Sequence, residues 1–260
     1  MLLKDKVIVI TGVGPGMGSK LATIAAAEGA KVAISARSEA FLKEVADEIT
    51  SHGGTVISVP TDVGDLAQCE RLVQQTVKAF GRIDGLVNSA YRVGAFKTFE
   101  DASIEEWQAN MDITCFGALR MSKAVLPVMK KQKEGSIINV SALASVKPAP
   151  GQADYATAKS ALNGATRQLA QEFGKYNIRV NSARVGHLWG APLLGYLKHL
   201  EATQNISQQD YIDKVIPTIA LNVIPPDEEC AKSVLFFVSD YARMVSGAVL
   251  DVNGGDYMAP

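Results

Sequence analysis

An apolar, β-branched run, Val7-Ile8-Val9-Ile10, passes directly into Thr11-Gly12-Val13-Gly14-Pro15-Gly16-Met17-Gly18 and then into the helix-favouring stretch Lys20-Leu21-Ala22-Thr23-Ile24-Ala25. No other feature restricts the fold as strongly, because a strand that turns through closely spaced glycines into a helix is the opening of a βαβ unit. Glycine permits the tight turn and lets the backbone approach a bound group. The helix N-terminus directs free N–H groups and the positive end of its dipole at the same point. A pyrophosphate fits such a place, so Gly12, Gly14, Gly16, Met17 and Gly18 are candidate cofactor contacts. The spacing is T-G-x-x-x-G-x-G rather than G-x-G-x-x-G.

Six further runs, Lys31–Ser35, Thr55–Val59, Gly85–Asn88, Ser136–Ser141, Ile178–Ala183 and Ala248–Val252, alternate with helical patterns. Seven strands separated by helices predict a single-domain α/β fold of Rossmann type. Its doubly wound parallel sheet has helices on both faces and binds ligands at the strands' carboxyl ends. A chain of 260 residues, 47% of them hydrophobic, can build such a core, and no repeat, low-complexity tract or Pro/Ser-rich linker divides it. Residues 1–260 are therefore read as one dinucleotide-binding catalytic domain. The stretch from Gly186 to Pro226 breaks the alternation and is expected to be a lid over the substrate, with an extra helix packed on the core as the alternative.

Charge and composition exclude several classes. Lys plus Arg number 26 against 27 Asp plus Glu, with no basic patch, so nucleic acid is not an expected partner. Lys130, Lys131 and Lys133, followed by Glu134, read as a solvated helix end. No apolar run reaches the roughly 18 residues of a membrane span. Met1-Leu2-Leu3-Lys4-Asp5-Lys6 runs straight into the first strand, so neither membrane nor leader is expected and the location is read as cytoplasmic. Cys69, Cys115 and Cys230 have no paired spacing, and His52, His187 and His199 have no metal-ligand spacing, so no metal is expected. His187 is kept as a pocket residue.

About twenty residues beyond the glycine turn, a carboxylate would bind the adenosine ribose of NAD. Ala36 and Arg37 stand there instead. A guanidinium binds a 2′-phosphate in fork geometry, so NADP(H) is expected over NAD(H). Further along, Asn139-Val140-Ser141 ends the fifth strand, and Tyr155 and Lys159 lie one turn apart on the helix that starts near Asp154. A phenol has a pKa near about 10, which a neighbouring ammonium lowers, so Tyr155 is a candidate acid or base, with Lys159 its tuning group and Ser141 a hydroxyl to hold the substrate oxygen.

Together these residues resemble the short-chain dehydrogenase/reductase family, in order and over nearly the whole chain. The resemblance implies that Asp62-Val63 contacts adenine and that Leu86-Val87-Asn88-Ser89-Ala90 is the fourth-strand motif, bringing Asn88 and Ala90 to the cofactor. It also places Lys159 on the nicotinamide ribose and makes Asn181, Gly186 and Val252-Asn253-Gly254-Gly255 part of the pattern. It further implies a homotetramer or homodimer. Four positions depart from it. Thr114 stands where the family has a catalytic asparagine, which predicts an altered pH dependence; Tyr91 replaces a glycine, Val185 a proline and Gly190 a threonine.

The expected reaction interconverts a secondary alcohol and a ketone. Tyr91, Phe96, Leu143, His187, Leu188, Trp189, Leu193 and Tyr196 are candidate pocket residues, and their character favours a hydrophobic or alicyclic substrate. A 3-oxoacyl reductase, a non-catalytic NADP(H)-binding sensor, and an isomerase or dehydratase using transient oxidation are the alternatives.

Overall fold

Consecutive apolar positions suit strands covered by helices on both faces. All seven runs form strands: β1 (Val7–Thr11), β2 (Lys31–Ser35), β3 (Thr55–Ser58), β4 (Gly85–Asn88), β5 (Gly135–Ala142), β6 (Ile178–Val185) and β7 (Val249–Val252). The computed structural model describes residues 1–259, the side chain of His199 excepted. The strands form one parallel sheet in the order β3-β2-β1-β4-β5-β6-β7, the doubly wound arrangement expected. Strand ends differ from the apolar runs by one or two residues. The ladder continues through Thr11, paired with Ser35 and Asn88, and through Ala142, paired with Val185. Val59 and Ala248 fall just outside it.

Between the strands lie α1 (Met17–Ala27), α2 (Glu39–Ser51), α3 (Leu66–Phe80), α4 (Ile104–Met111), α5 (Gly117–Gln132), α6 (Ala153–Phe173), α7 (Ala191–Gln204), α8 (Gln208–Val215) and α9 (Asp227–Phe236). Strand alternation sends Ile8, Ile10 and Val32 to one face, where they meet Leu21 of α1, Leu42 of α2 and Val234 of α9. Val9, Leu86 and Ile137 face the other way, onto Leu72 of α3, Val125 of α5 and Phe173 of α6. Between α4 and α5 the chain widens into a π-helical turn, Asp112–Phe116, that buries Thr114. Such turns are frequent at functional sites. No helix among the described residues is long and apolar enough to cross a membrane.

The Gly186–Pro226 stretch forms α7 and α8 around a small core of its own, Val215, Ile219 and Ile224, against which Trp189, Leu193 and Tyr211 pack. Its two ends are pinned together, since Trp189 N–H donates to Pro225 O at 2.9 Å and Asp227 N–H to Trp189 O at 3.3 Å.

Strand β7 is held to β6 by Arg184, whose Nε and Nη2 reach the two carboxylate oxygens of Asp251 at 2.5 and 2.6 Å and whose guanidinium lies 5.0 Å from the Tyr257 ring centroid. The arginine is buried, so its removal strands a poorly solvated carboxylate. Arg184→Ala is expected to cost about 3 kcal/mol, seen as a lower urea midpoint at unchanged slope. A midpoint equal to wild type would show that the pair contributes nothing.

Candidate active site

The glycine turn is tight because its neighbours leave no room for side chains. At Gly12, where φ is +71°, a Cβ would stand 2.4 Å from Ala90 N; at Gly18 it would stand 2.3 Å from Gly12 O. The turn is therefore pressed against the end of β4. Gly14 is different, since a Cβ there would meet nothing within 4 Å. Gly16 caps α1 without any side-chain hydrogen bond to the helix, so no side chain competes for the first-turn N–H groups. Ser35 Oγ and Asn88 Oδ1, at the ends of β2 and β4 on either side of β1, are buried without partners. A narrow backbone cradle, an uncapped helix start and unpaired oxygens at the sheet edge fit a dinucleotide. Met17 packs its side chain in the core and has only its main chain to offer.

Thr61 N–H donates to Ala36 O at 2.9 Å, which brings Asp62 and Val63 beside Ala36-Arg37. Asp62 Oδ1 accepts from Gly64 N–H at 2.8 Å, Val63 is buried, and Arg37 is exposed, with no ion-pair partner among the described residues. Gly186, at the opposite end of the edge, lies against Asn253, whose Cβ would be 2.6 Å from its own.

Tyr155 and Lys159 share a face of α6 at this edge. Lys159 is 2% exposed, its Nζ donates to Val140 O at 2.6 Å and lies 5.6 Å from the Tyr155 ring centroid. Burial pushes its ammonium down to about 7, against a small opposing pull from Cys115. Burial, then the neighbouring Tyr91, pushes the Tyr155 phenol above its ordinary value. In the protein alone burial dominates the Tyr155 phenol, while the Lys159 Nζ is directed at the Val140 carbonyl.

Ser141 also departs from expectation. Its hydroxyl is fully buried and donates to Lys159 O at 3.4 Å. The cause is alternation along β5: Asn139 and Ser141 both point at α6, where Asn139 Nδ2 donates to Thr166 Oγ1 at 2.9 Å. Ser141 stitches strand to helix, and the next residue, Ala142, has no hydroxyl.

Thr114 is committed in a similar way. Its Oγ1 accepts from Arg92 N–H at 3.0 Å and donates to Asn110 Oδ1 at 2.8 Å. Asn110 Nδ2 in turn donates to Asp154 Oδ2 at 3.1 Å, and Asp154 also accepts from Ala95 N–H at 3.2 Å and Tyr155 N–H at 2.7 Å. This chain of buried polar groups, missed in the sequence apart from Thr114, ties residues 92–95 to the start of α6. Close contact needs Gly94, where a Cβ would stand 2.9 Å from Asp154 Oδ1.

Of the pocket candidates, Tyr91 packs edge-on to Tyr155 with centroids 6.0 Å apart. Phe96 stacks on Tyr196 at 5.4 Å, Tyr196 meets Tyr211 at 6.2 Å, and Tyr211 meets His187 at 6.0 Å. His187 Nδ1 lies 3.3 Å from Asp256 Oδ2, and Asp256 Oδ1 accepts from Lys147 Nζ at 2.6 Å and Thr218 Oγ1 at 2.8 Å. Tyr211, Asp256 and Lys147 were not among the sequence candidates. Leu143 is buried, half-buried Leu188 packs against the main core, and half-buried Trp189 and Leu193 pack against the small core of the α7–α8 excursion.

Comparison with known proteins agrees with this geometry. The family model described as enoyl-(acyl carrier protein) reductase matches residues 12–256. An uncharacterised oxidoreductase of Thermotoga maritima is 36% identical over 98% of both chains. The levodione reductase of Leifsonia aquatica is 32% identical over 98% of this chain and 95% of its own. A levodione reductase crystal structure superposes with a TM-score of 0.91 at 30% identity, covering 97% of this chain and 98% of the other. The chain belongs to the short-chain dehydrogenase/reductase family and is an NAD(P)-dependent oxidoreductase.

Because folding lowers the Lys159 pKa from 10.5 to about 7, the unfolded chain holds more protons between those values, and stability rises with pH across that window. Lys159→Met removes the penalty. At pH near 7 it is expected to be more stable than wild type by on the order of a few kcal/mol, with the gap closing toward pH about 10.5. Urea unfolding at both ends of the window checks this, and a gap independent of pH would refute it.

Proposed function

We propose that the protein interconverts a secondary alcohol and a ketone with NADP(H), the substrate being hydrophobic or alicyclic. The observation that carries this reading is the placement of Tyr155 and Lys159 on one face of α6, at the sheet edge that also holds the glycine turn. The main chain of Gly12, Gly14, Gly16, Met17 and Gly18 would hold the pyrophosphate, Asp62 and Val63 the adenine, and Arg37 the 2′-phosphate. Asn88, Ala90, Lys159 and Gly186 would flank the nicotinamide riboside, whose bound ring supplies or accepts the hydride.

Tyr155 holds the proton that the substrate oxygen gains on reduction or loses on oxidation. A phenol kept protonated by burial is ready to act as the acid, which suits the reductive direction. Lys159, once a ribose hydroxyl shares its hydrogen bonding, positions that phenol. The aromatic series Tyr91, Phe96, Tyr196 and Tyr211 supports an apolar substrate, and the self-contained α7–α8 excursion supports a lid over it. The exposed, unpaired guanidinium of Arg37 supports NADP(H) over NAD(H).

Two measurements test the reading. In a screen of cyclic and open-chain ketones followed by cofactor absorbance, Tyr155→Phe is expected to lower kcat by at least about a hundredfold; full activity in that variant would overturn the mechanism. Arg37→Ala is expected to raise KM for NADPH by on the order of tenfold while leaving KM for NADH nearly unchanged. Equal effects on both cofactors would remove the 2′-phosphate from the account.

A further inference from the structure

Reduction of a ketone places negative charge on the substrate oxygen before the proton settles, and a second hydrogen-bond donor at that oxygen lowers the barrier. The strand end that leads into the site supplies none. Ser141 is spent on Lys159 O and Ala142 has no hydroxyl, while Ser145 Oγ donates back to Ala142 O at 2.7 Å. The Thr114 proton is used on Asn110, and Ser89 is buried.

We propose that Tyr91 is a second catalytic tyrosine, whose hydroxyl donates to the substrate oxygen beside Tyr155. The proposal rests on the alcohol–ketone reading above. Lys159 Nζ lies 5.6 Å from the centroid of each ring, Tyr91 and Tyr155 alike, so the two phenols flank one ammonium. Tyr91 is 42% exposed, so its ring is open to a ligand as well as packed on Tyr155. Burial raises its pKa, which keeps it a donor at neutral pH.

Tyr91 is also held in place by the same buried network that holds Tyr155. Arg92 N–H is fixed by Thr114, Ala95 N–H by Asp154, and Asp154 takes the Tyr155 N–H as well. A mere wall of the pocket needs no such fastening to the catalytic helix. Thr114 thereby becomes a positioning residue for Tyr91, which accounts for a threonine in a place where the family has asparagine. In the reductive direction the carbonyl carbon gains hydride and the oxygen takes the Tyr155 phenolic proton. The Tyr91 proton is shared throughout but not transferred, and solvent reprotonates Tyr155.

The test is Tyr91→Phe, which keeps the ring and removes the hydroxyl. With NADPH and the best ketone of the screen, kcat is expected to fall on the order of a hundredfold, with KM changed less than about threefold, and the pH limb assigned to Tyr155 is expected to move to lower pH. Thr114→Val, which fills the same space without either hydrogen bond, is expected to lower kcat when Tyr91 is present and to lower it no further when Tyr91 is already phenylalanine. Wild-type kcat and pH profile in Tyr91→Phe overturn the proposal, while activity surviving in Tyr155→Phe overturns the underlying reading instead. If no ketone is turned over, the underlying reading falls and this proposal falls with it.

Discussion

In a parallel sheet, the direction in which each connection leaves a strand decides where an opening can exist. Here β1 has β2 on one side and β4 on the other, so the chain crosses to opposite faces on its two passages from the middle of the sheet. At the carboxyl end of β1 the crossings diverge, and no helix can cover the gap. The glycine turn sits in that gap because only backbone without side chains can lie so close to Ala90. Everything placed near it, from Tyr155 on α6 to Gly186 after β6, is there because its strand or helix ends at the same edge.

A second constraint fixes the site more finely. Asp154 is buried and accepts three N–H groups, from Ala95, Asn110 and Tyr155. A buried carboxylate with all its bonds made is rigid, while one with a missing partner is costly. Residues 92–95 are thereby tied to the first turn of α6, and the network helps to set the spacing between Tyr91 and Tyr155.

The fold was legible because each strand announces itself locally, through β-branched runs and the turn that follows the first. Tyr155 and Lys159 were legible for the same reason: their spacing is a property of one helix. Ser141 was misread because its role depends on which face of β5 it takes, and in a strand one residue decides that. Thr114 meets Arg92 of the loop after β4, Asn110 meets Asp154 of α6, and the His187–Asp256 contact joins the loop after β6 to the residues after β7. Such meetings are products of tertiary folding, and no local pattern marks them. Leu143, Leu188, Trp189 and Leu193 have the composition expected of a pocket and of a core alike, so the sequence alone does not separate the two.

The contact between Lys147 and Asp256 spans 109 positions and involves a carboxylate whose side chain is wholly buried. Lys147 belongs to the connection that leads into α6, whereas Asp256 follows the last strand of the sheet. During synthesis from the N-terminus, the glycine turn, the tyrosines and the lysine all leave the ribosome well before this carboxylate exists. The wall beside His187 therefore cannot close until Asp256 has been made.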